Sequence, residues 1–158
     1  MISFYNLLNE QETHYLDSLI GNTNLWEYRT YHKDKQQFYD SLKVDVEKLK
    51  NYYDTITENG KYEIKETGLN VIKAETQVKN KHVDDSDLSY VTYLNEDFEG
   101  GEFFYYLDKK KFEIKPKIGL TIKIDSGVMH EVNHLNEGIR YSLYTFLIKK
   151  QKKINTLL

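Results

Sequence analysis

The chain has 158 residues, with 22 Lys and Arg against 25 Asp and Glu for a formal net charge of −3, no cysteine and a 39% hydrophobic share. A chain of this length reads as one domain, and burying roughly 68–70% of its unfolded surface supports a core without staples. Zero Cys excludes disulfides and thiolate metal sites, and the mild acidity, with a pI near 6.0, lacks the basic face of a dedicated nucleic-acid binder. Met1 to Leu8 is partly apolar but has no basic region and runs directly into Glu10 and Glu12. No apolar run reaches the roughly 18 residues of a membrane span. The expectation is therefore a cytoplasmic chain with no signal peptide and no membrane or nucleic-acid partner.

Asn9-Glu10-Gln11-Glu12 reads as a helix N-cap with Glu at the third helical position, ahead of Tyr15, Leu16, Leu19 and Ile20 and a stop at Gly21. A linker holding Trp26 follows. A second helix is predicted to open near Asp34, since Phe38, Leu42, Val46, Leu49, Tyr53 and Ile56 draw one apolar stripe that ends by Gly60. From Tyr62 the texture changes to short β-type runs: 62–65, 69–74, 88–94, 102–107, 119–124 and 140–148. Leu120, Ile122 and Ile124 alternate with Thr121 and Lys123, the period of a half-buried strand. Glu99-Gly100-Gly101, Ser126-Gly127 and Asn136-Glu137-Gly138 supply the turns. The expected division is helical support over 1–60, a β core over 61–149 and a basic, solvated tail over 150–158 that includes Lys150, Lys152 and Lys153.

Three of the five histidines have suggestive company. His82-Val83-Asp84 sets an imidazole and a carboxylate two residues apart, on one side of an extended segment. Such a pair can grip one ion, but the tripeptide is common by chance and needs a third ligand. His130-Glu131-Val132-Asn133-His134 offers one, and it also matches the HExxH pattern of zinc peptidases, in which a helix sets both His on one face and the Glu is the base. Gly127 upstream and Asn136-Glu137-Gly138 downstream leave barely two turns for that helix, and Arg140 stands where the extended motif would place its last His. Asp85, Asp87, Ser89 and Glu96 fall in an EF-hand register, but Tyr90 occupies the position that demands Gly. The remaining reading is a facial triad of His82, Asp84 and His130, which leaves three positions open on a ferrous ion.

The surroundings of these residues carry a resemblance. His82-Val83-Asp84-Asp85, Tyr93-Leu94-Asn95 through Glu99-Gly100-Gly101-Glu102, Met129-His130-Glu131-Val132 and Gly138-Ile139-Arg140-Tyr141-Ser142-Leu143 resemble, in order and spacing, the prolyl 4-hydroxylase-like branch of the Fe(II)/2-oxoglutarate oxygenases. The match covers about residues 70 to 148. It implies a mostly β fold, a double-stranded β-helix or jelly roll with supporting N-terminal helices. It also implies Fe(II) on His82, Asp84 and His130, with 2-oxoglutarate and O2 as co-substrates and ascorbate as a stimulatory reductant. Arg140, ten positions after His130, would pair with the distal carboxylate of 2-oxoglutarate, a task suited to a planar guanidinium. Tyr93 and Ser142 would bond the same co-substrate. Glu131 would not be a ligand, and His134 would lie at or near the surface.

The pattern also departs from the family. Members usually carry a Tyr about nine residues before the His-x-Asp, where this chain has Lys73 followed by Ala74. The implied activity is hydroxylation of an unactivated C–H bond with release of succinate and CO2, and a carboxylate at Asp84 favours hydroxylation over halogenation. The implied substrate is a prolyl residue of a peptide or protein, with a free amino acid or other small molecule as the alternative. A non-catalytic jelly-roll binding module is the competing reading from another class. The nucleic-acid dealkylating branch typically has a second arginine six residues after the first, where this chain has Phe146.

Overall fold

The computed structural model describes residues 1–22, 29–30, 40–74 and 81–151. Trp26, Asp34, Phe38 and the tail from residue 152 onward lie outside them. In chain order the elements are β1 (Ile2–Tyr5), α1 (Glu10–Gly21), β2 (Arg29–Thr30), β3 (Asp40–Leu42), a 3-10 turn (Val46–Leu49), α2 (Lys50–Ile56), β4 (Tyr62–Lys73), β5 (Leu88–Tyr93), β6 (Glu99–Gly100), β7 (Phe103–Leu107), β8 (Lys110–Ile114), β9 (Leu120–Asp125), β10 (Met129–Val132), β11 (Leu135–Glu137) and β12 (Ile139–Lys149). The major sheet has the order β1-β9-β5-β12-β4-β3-β2, faced by the smaller sheets β10-β7-β8 and β11-β6. The named pairings are all antiparallel. No helix among the described residues is long and apolar enough to cross a membrane.

Period-two alternation gives the major sheet two buried faces. Leu69, Val71, Leu143 and Leu147 point outward to the helices and pack with Leu16, Leu19, Leu49, Tyr52 and Ile56. Tyr93, Phe103, Leu120, Ile122 and Ile124 form a second core between the sheets. The first helix forms as its cap predicts. Asn9 Oδ1 accepts from the Glu12 amide at 2.8 Å, and the Asn9 amide donates to Glu12 Oε1 at 3.1 Å. The other oxygen of Glu12 accepts from the Tyr52 amide at 3.0 Å. One buried carboxylate thus caps its own helix and also the first turn of α2, whose N-cap Leu49 offers no side-chain acceptor.

The second predicted helix requires correction. Asp40–Leu42 is a strand in register with Leu69–Val71, and helical structure begins only at Val46, where Asp45 Oδ1 accepts from the Glu47 amide at 3.1 Å. Leu42 is buried as a strand residue, while Val46 faces solvent. The helical spacing of the stripe is broken by a sheet edge that offered paired backbone, a gain larger than local helix propensity. The segment 1–60 therefore supplies strands as well as helices. Two predicted strands, 62–65 and 69–74, prove to be one. Gly68, between the two runs, stands inside β4, where a Cβ would meet Leu42 O at 2.9 Å and the Tyr144 hydroxyl oxygen at 3.1 Å. Strands β1, β8, β10 and β11 lie in segments read without strand character.

The outer core contains tyrosines that end on threonines. Tyr52 OH lies 3.1 Å from Thr92 Oγ1, which lies 2.7 Å from Thr121 Oγ1, and Tyr53 OH lies 2.6 Å from Thr67 Oγ1. Burial pushes the Tyr52 phenol well above its usual range and the Tyr53 phenol up to about 12. A folded pKa raised above the unfolded value near 10 contributes stability that is intact below pH 10 and lost as pH rises through the folded value. For Tyr53 alone the loss is on the order of 2–3 kcal/mol by pH 12. Urea melts between pH 8 and 12 should show the folding free energy flat to about pH 10 and falling beyond it. A profile flat to pH 12 would contradict the buried, neutral phenols.

Candidate metal centre and carboxylate pocket

His82 and His130 are brought together by main chain. Each amide donates to the other's carbonyl at 2.9 Å, an isolated antiparallel bridge outside the named strands. The two rings stand 4.3 Å apart, and Phe103 stacks on the His130 ring at 5.5 Å and 19°. Asp84 lies two residues past His82 on the same side. Its Oδ1 is 3.2 Å from His82 Nε2 and its Oδ2 is 3.3 Å from His130 Nε2. The potential ligand atoms all lie within 4.8 Å of one another, and this is the only such group of three or more among the described residues.

The geometry suits an ion. Two ligand atoms bound at right angles about 2.1 Å from one metal stand about 3.0 Å apart, close to the 3.2 and 3.3 Å separations found. His130 Nδ1 is 2.9 Å from the Val128 carbonyl oxygen, so a proton on Nδ1 donates there and Nε2 turns a lone pair toward Asp84. Lone pair against carboxylate requires a proton or a cation between them. Burial pushes the Asp84 carboxyl up, but the facing His130 and His82 rings, donors to it when protonated, outweigh that and hold the group well below the usual carboxylate range. Two imidazoles and a carboxylate on one side of an ion suit divalent iron and leave the opposite positions open.

The second feature is a polar wall on the inner face of the major sheet. The register across β4, β12 and β5 sets Asn70, Ser142 and Tyr93 in one row, with Arg140 two residues before Ser142 on the same face. Asn70 Oδ1, Ser142 Oγ, Tyr93 OH, and Arg140 Nε and Nη1 are all buried with no hydrogen-bond partner among the described residues, and no other buried side-chain polar atom among them is in that state. Arg140 is 5% exposed and its Cζ lies 5.8 Å from the Tyr93 ring centroid. Burial pulls the Arg140 guanidinium below its ordinary range. Burial raises the Tyr93 phenol, and the arginine's charge opposes that rise. Asn95 fixes the backbone on both sides of Arg140: its Nδ2 donates to Ile139 O at 2.7 Å and its Oδ1 accepts from the Tyr141 amide at 2.9 Å.

Unpaired buried polar atoms are rare, and several converging on one spot mark a ligand site. Two guanidinium N–H groups and two hydroxyls match the roughly four lone-pair sites of one carboxylate. The wall and the triad share the inter-sheet space, since Phe103 stacks on His130 and packs in the same cluster as Tyr93. The family resemblance named Arg140, Tyr93 and Ser142 but not Asn70, and the structure sets all four on one face. Only the pairing of β4 with β12 places Asn70 there, and nothing local in the sequence reveals that register.

The peptidase alternative is overturned. Residues 129–132 are strand, not helix, and pair with Phe103–Tyr106. Glu131 is turned to the other face, bonded by the Tyr106 hydroxyl and 3.8 Å from Lys111 Nζ. His134 is exposed and contributes only its carbonyl oxygen, to the Gly101 amide at 3.2 Å. That carbonyl also accounts for Gly100, with φ +85°, where a Cβ would come within 2.4 Å of it.

The sequence matches no protein-family model and no curated protein. Solved structures do match. A prolyl-4-hydroxylase from Pseudomonas putida is 18% identical with a TM-score of 0.73, over 95% of this chain and 92% of that one. A Trichoplax adhaerens prolyl hydroxylase, solved with a peptide fragment of the hypoxia inducible factor oxygen degradation domain, is 15% identical with a TM-score of 0.74, over 94% and 83%. A 2OG-Fe(II) oxygenase family oxidoreductase from Burkholderia pseudomallei is 16% identical with a TM-score of 0.70, over 95% and 88%.

A wall of unpaired polar atoms costs stability in the free protein, because a buried guanidinium without a counter-ion keeps its desolvation penalty. Arg140→Met should leave the ligand-free fold unharmed or stabilise it by about 1–4 kcal/mol, read by urea melts of both proteins without additives. Clear destabilisation would mean that Arg140 has a partner within the fold. Strand order, outer helices and near-complete coverage of the matched structures give this chain the jelly-roll fold of the prolyl 4-hydroxylase-like Fe(II)/2-oxoglutarate oxygenases.

Proposed function

We propose that the protein is an Fe(II)- and 2-oxoglutarate-dependent dioxygenase that hydroxylates an unactivated C–H bond, with a prolyl residue of a peptide or protein as its substrate. The observation that carries this reading is the coincidence, in one inter-sheet space, of a triad shaped for an ion and unpaired donors on Arg140, Tyr93 and Ser142 shaped for a carboxylate. The peptide bound to the Trichoplax enzyme supports a polypeptide substrate.

Each residue has a task that follows from its surroundings. His82, Asp84 and His130 hold Fe(II) from one side, with the His130 ring fixed by Val128 O and by Phe103. Arg140, whose Nε and Nη1 are unpaired, would hold the distal carboxylate of 2-oxoglutarate, with the Tyr93 and Ser142 hydroxyls as further donors to it. Asn95 holds the strand so that the guanidinium needs no reorganisation on binding. Phe103 and its apolar neighbours Leu120 and Ile122 exclude water, which strengthens the charged contacts. With its co-substrates bound, iron supplies the oxidising chemistry, in which oxidative decarboxylation to succinate and CO2 is coupled to transfer of an oxygen atom into the C–H bond.

Anaerobic titration of the metal-free protein with Fe(II) and 2-oxoglutarate should produce the weak visible charge-transfer band of a chelated keto acid, which decays on admitting O2 as succinate forms. A folded protein that gives no band refutes the reading. Arg140→Ala should raise the apparent KM for 2-oxoglutarate by about a hundredfold or more, the effect of breaking a buried charge pair at about 3–5 kcal/mol. An unchanged co-substrate dependence would remove Arg140 from this role. Asp84→Ala should abolish hydroxylation, whereas His134→Ala should leave both iron affinity and turnover unchanged. A metal site that depended on His134 would show the opposite pattern.

A further inference from the structure

The β7–β8 hairpin carries a surface that the metal site and the carboxylate pocket do not use. The register sets His130, Tyr105 and Phe112 in one row across β10, β7 and β8. Tyr105 and Phe112 stack at 5.0 Å and 14°. This row lies on the face that looks toward the inter-sheet space, with Phe103 and Ile114 on the same side. Every residue from Leu107 to Glu113 is exposed, so the hairpin overhangs the sandwich.

The two faces of the overhang are treated differently. On the outer face the side chains satisfy one another: Lys111 Nζ sits 4.0 Å from the Phe104 ring centroid, Lys81 Nζ sits 3.8 Å from that of Tyr106, and Glu131 is bonded by Tyr106. On the inner face Leu107 is 41% and Phe112 39% exposed, and Lys110 stands beside them in register with Leu107. No carboxylate lies on that face of β7 or β8. Lys109, Lys110, Lys111, Lys115 and Lys117 set five cations against Glu113 within nine residues of a chain whose net charge is −3, and Lys110 is the one on the inner face of β8.

We propose that this inner face is the substrate ledge, and that its occupant is an extended polypeptide segment bearing acidic side chains; this rests on the dioxygenase reading of the neighbouring site. The row from His130 to Phe112 spans two strand spacings, about 10 Å, or about three residues of extended chain. Lys110 lies two residues further along β8. A substrate that places its reacting residue at the triad therefore lays an apolar stretch over Tyr105 and Phe112 and sets Asp or Glu about three to five residues away, at Lys110. A free amino acid is too short to reach the ledge. A single-stranded nucleic acid would also meet aromatic rings and cations, but its regularly charged backbone calls for a basic groove, and this inner face offers one lysine among apolar side chains.

The test is fluorescence anisotropy with labelled peptides of about 14 residues in a Gly/Ser background. One has a central Pro with Glu at the third to fifth positions on both sides; its counterpart has Lys at those positions. The full-length protein is used under argon with Fe(II) and 2-oxoglutarate, and again metal-free. The Glu peptide should bind at least about tenfold more tightly than the Lys peptide, Phe112→Ala should weaken it about tenfold, and Lys110→Glu should cancel or invert the preference. Both substitutions are at exposed positions, and the variants should retain the keto-acid band of the parent. Equal binding of the two peptides, indifference to Phe112→Ala, or displacement of the Glu peptide by a single-stranded oligonucleotide of the same length would each overturn the proposal. If the band is present and the peptide preference absent, the ledge alone fails. If the band is absent, the dioxygenase reading fails, and the metal-free titration judges the ledge independently.

Discussion

Strand β12 pairs along 11 residues with β4 and, over part of the same length, with β5 on its other side. This double pairing is the constraint from which the rest of the molecule follows. A strand held on both edges cannot slip by one residue without turning every side chain to the opposite face. The register that points Leu143 and Leu147 at the helices is therefore the same register that points Arg140 and Ser142 inward. Hydrophobic burial on one side of the sheet fixes the position of the polar wall on the other.

The balance of forces explains why such a wall can exist. Five buried polar atoms without partners would each cost about 1–3 kcal/mol in an ordinary interior. They are concentrated in four residues behind which sits the larger of the two apolar cores. The protein stores this penalty where a ligand can relieve it, and relief adds to binding affinity instead of to the stability of the free fold. The triad follows the same logic, because two imidazoles directed at one carboxylate are relieved by a cation.

The site was more legible in the sequence than the fold that carries it. His82, Asp84 and His130 could be grouped from residue type and spacing, and the structure brings them together, whereas Arg140, Tyr93 and Ser142 were named only through the family resemblance and Asn70 joins their row only through cross-strand pairing. The stripe from Phe38 to Ile56 misled for a related reason. Helical spacing at Leu42 and Val46 is a local signal, and Leu42 was claimed by a non-local partner, Leu69. The gap left between 65 and 69 erred in the opposite direction, since Gly68 stands within one continuous strand where Leu42 and Tyr144 approach too closely for a side chain. Strand β8 escaped notice because its lysines serve an exposed hairpin and leave no apolar alternation to read. Tertiary pairing, which no window of sequence contains, accounts for each case.

Glu12 gives the helical layer a dynamic character. Its two oxygens are divided between the start of α1 and the first turn of α2, so neither helix can fray at its N-terminus without releasing the carboxylate that holds the other. The two helices are therefore bound to open as one cooperative unit, a single foldon in hydrogen exchange, in place of two independently breathing segments. That unit lies against the back of the sheet, on the outward side chains of β4 and β12. Behind the donor row, one acidic side chain thus couples the two helices that pack on the opposite side of the sheet.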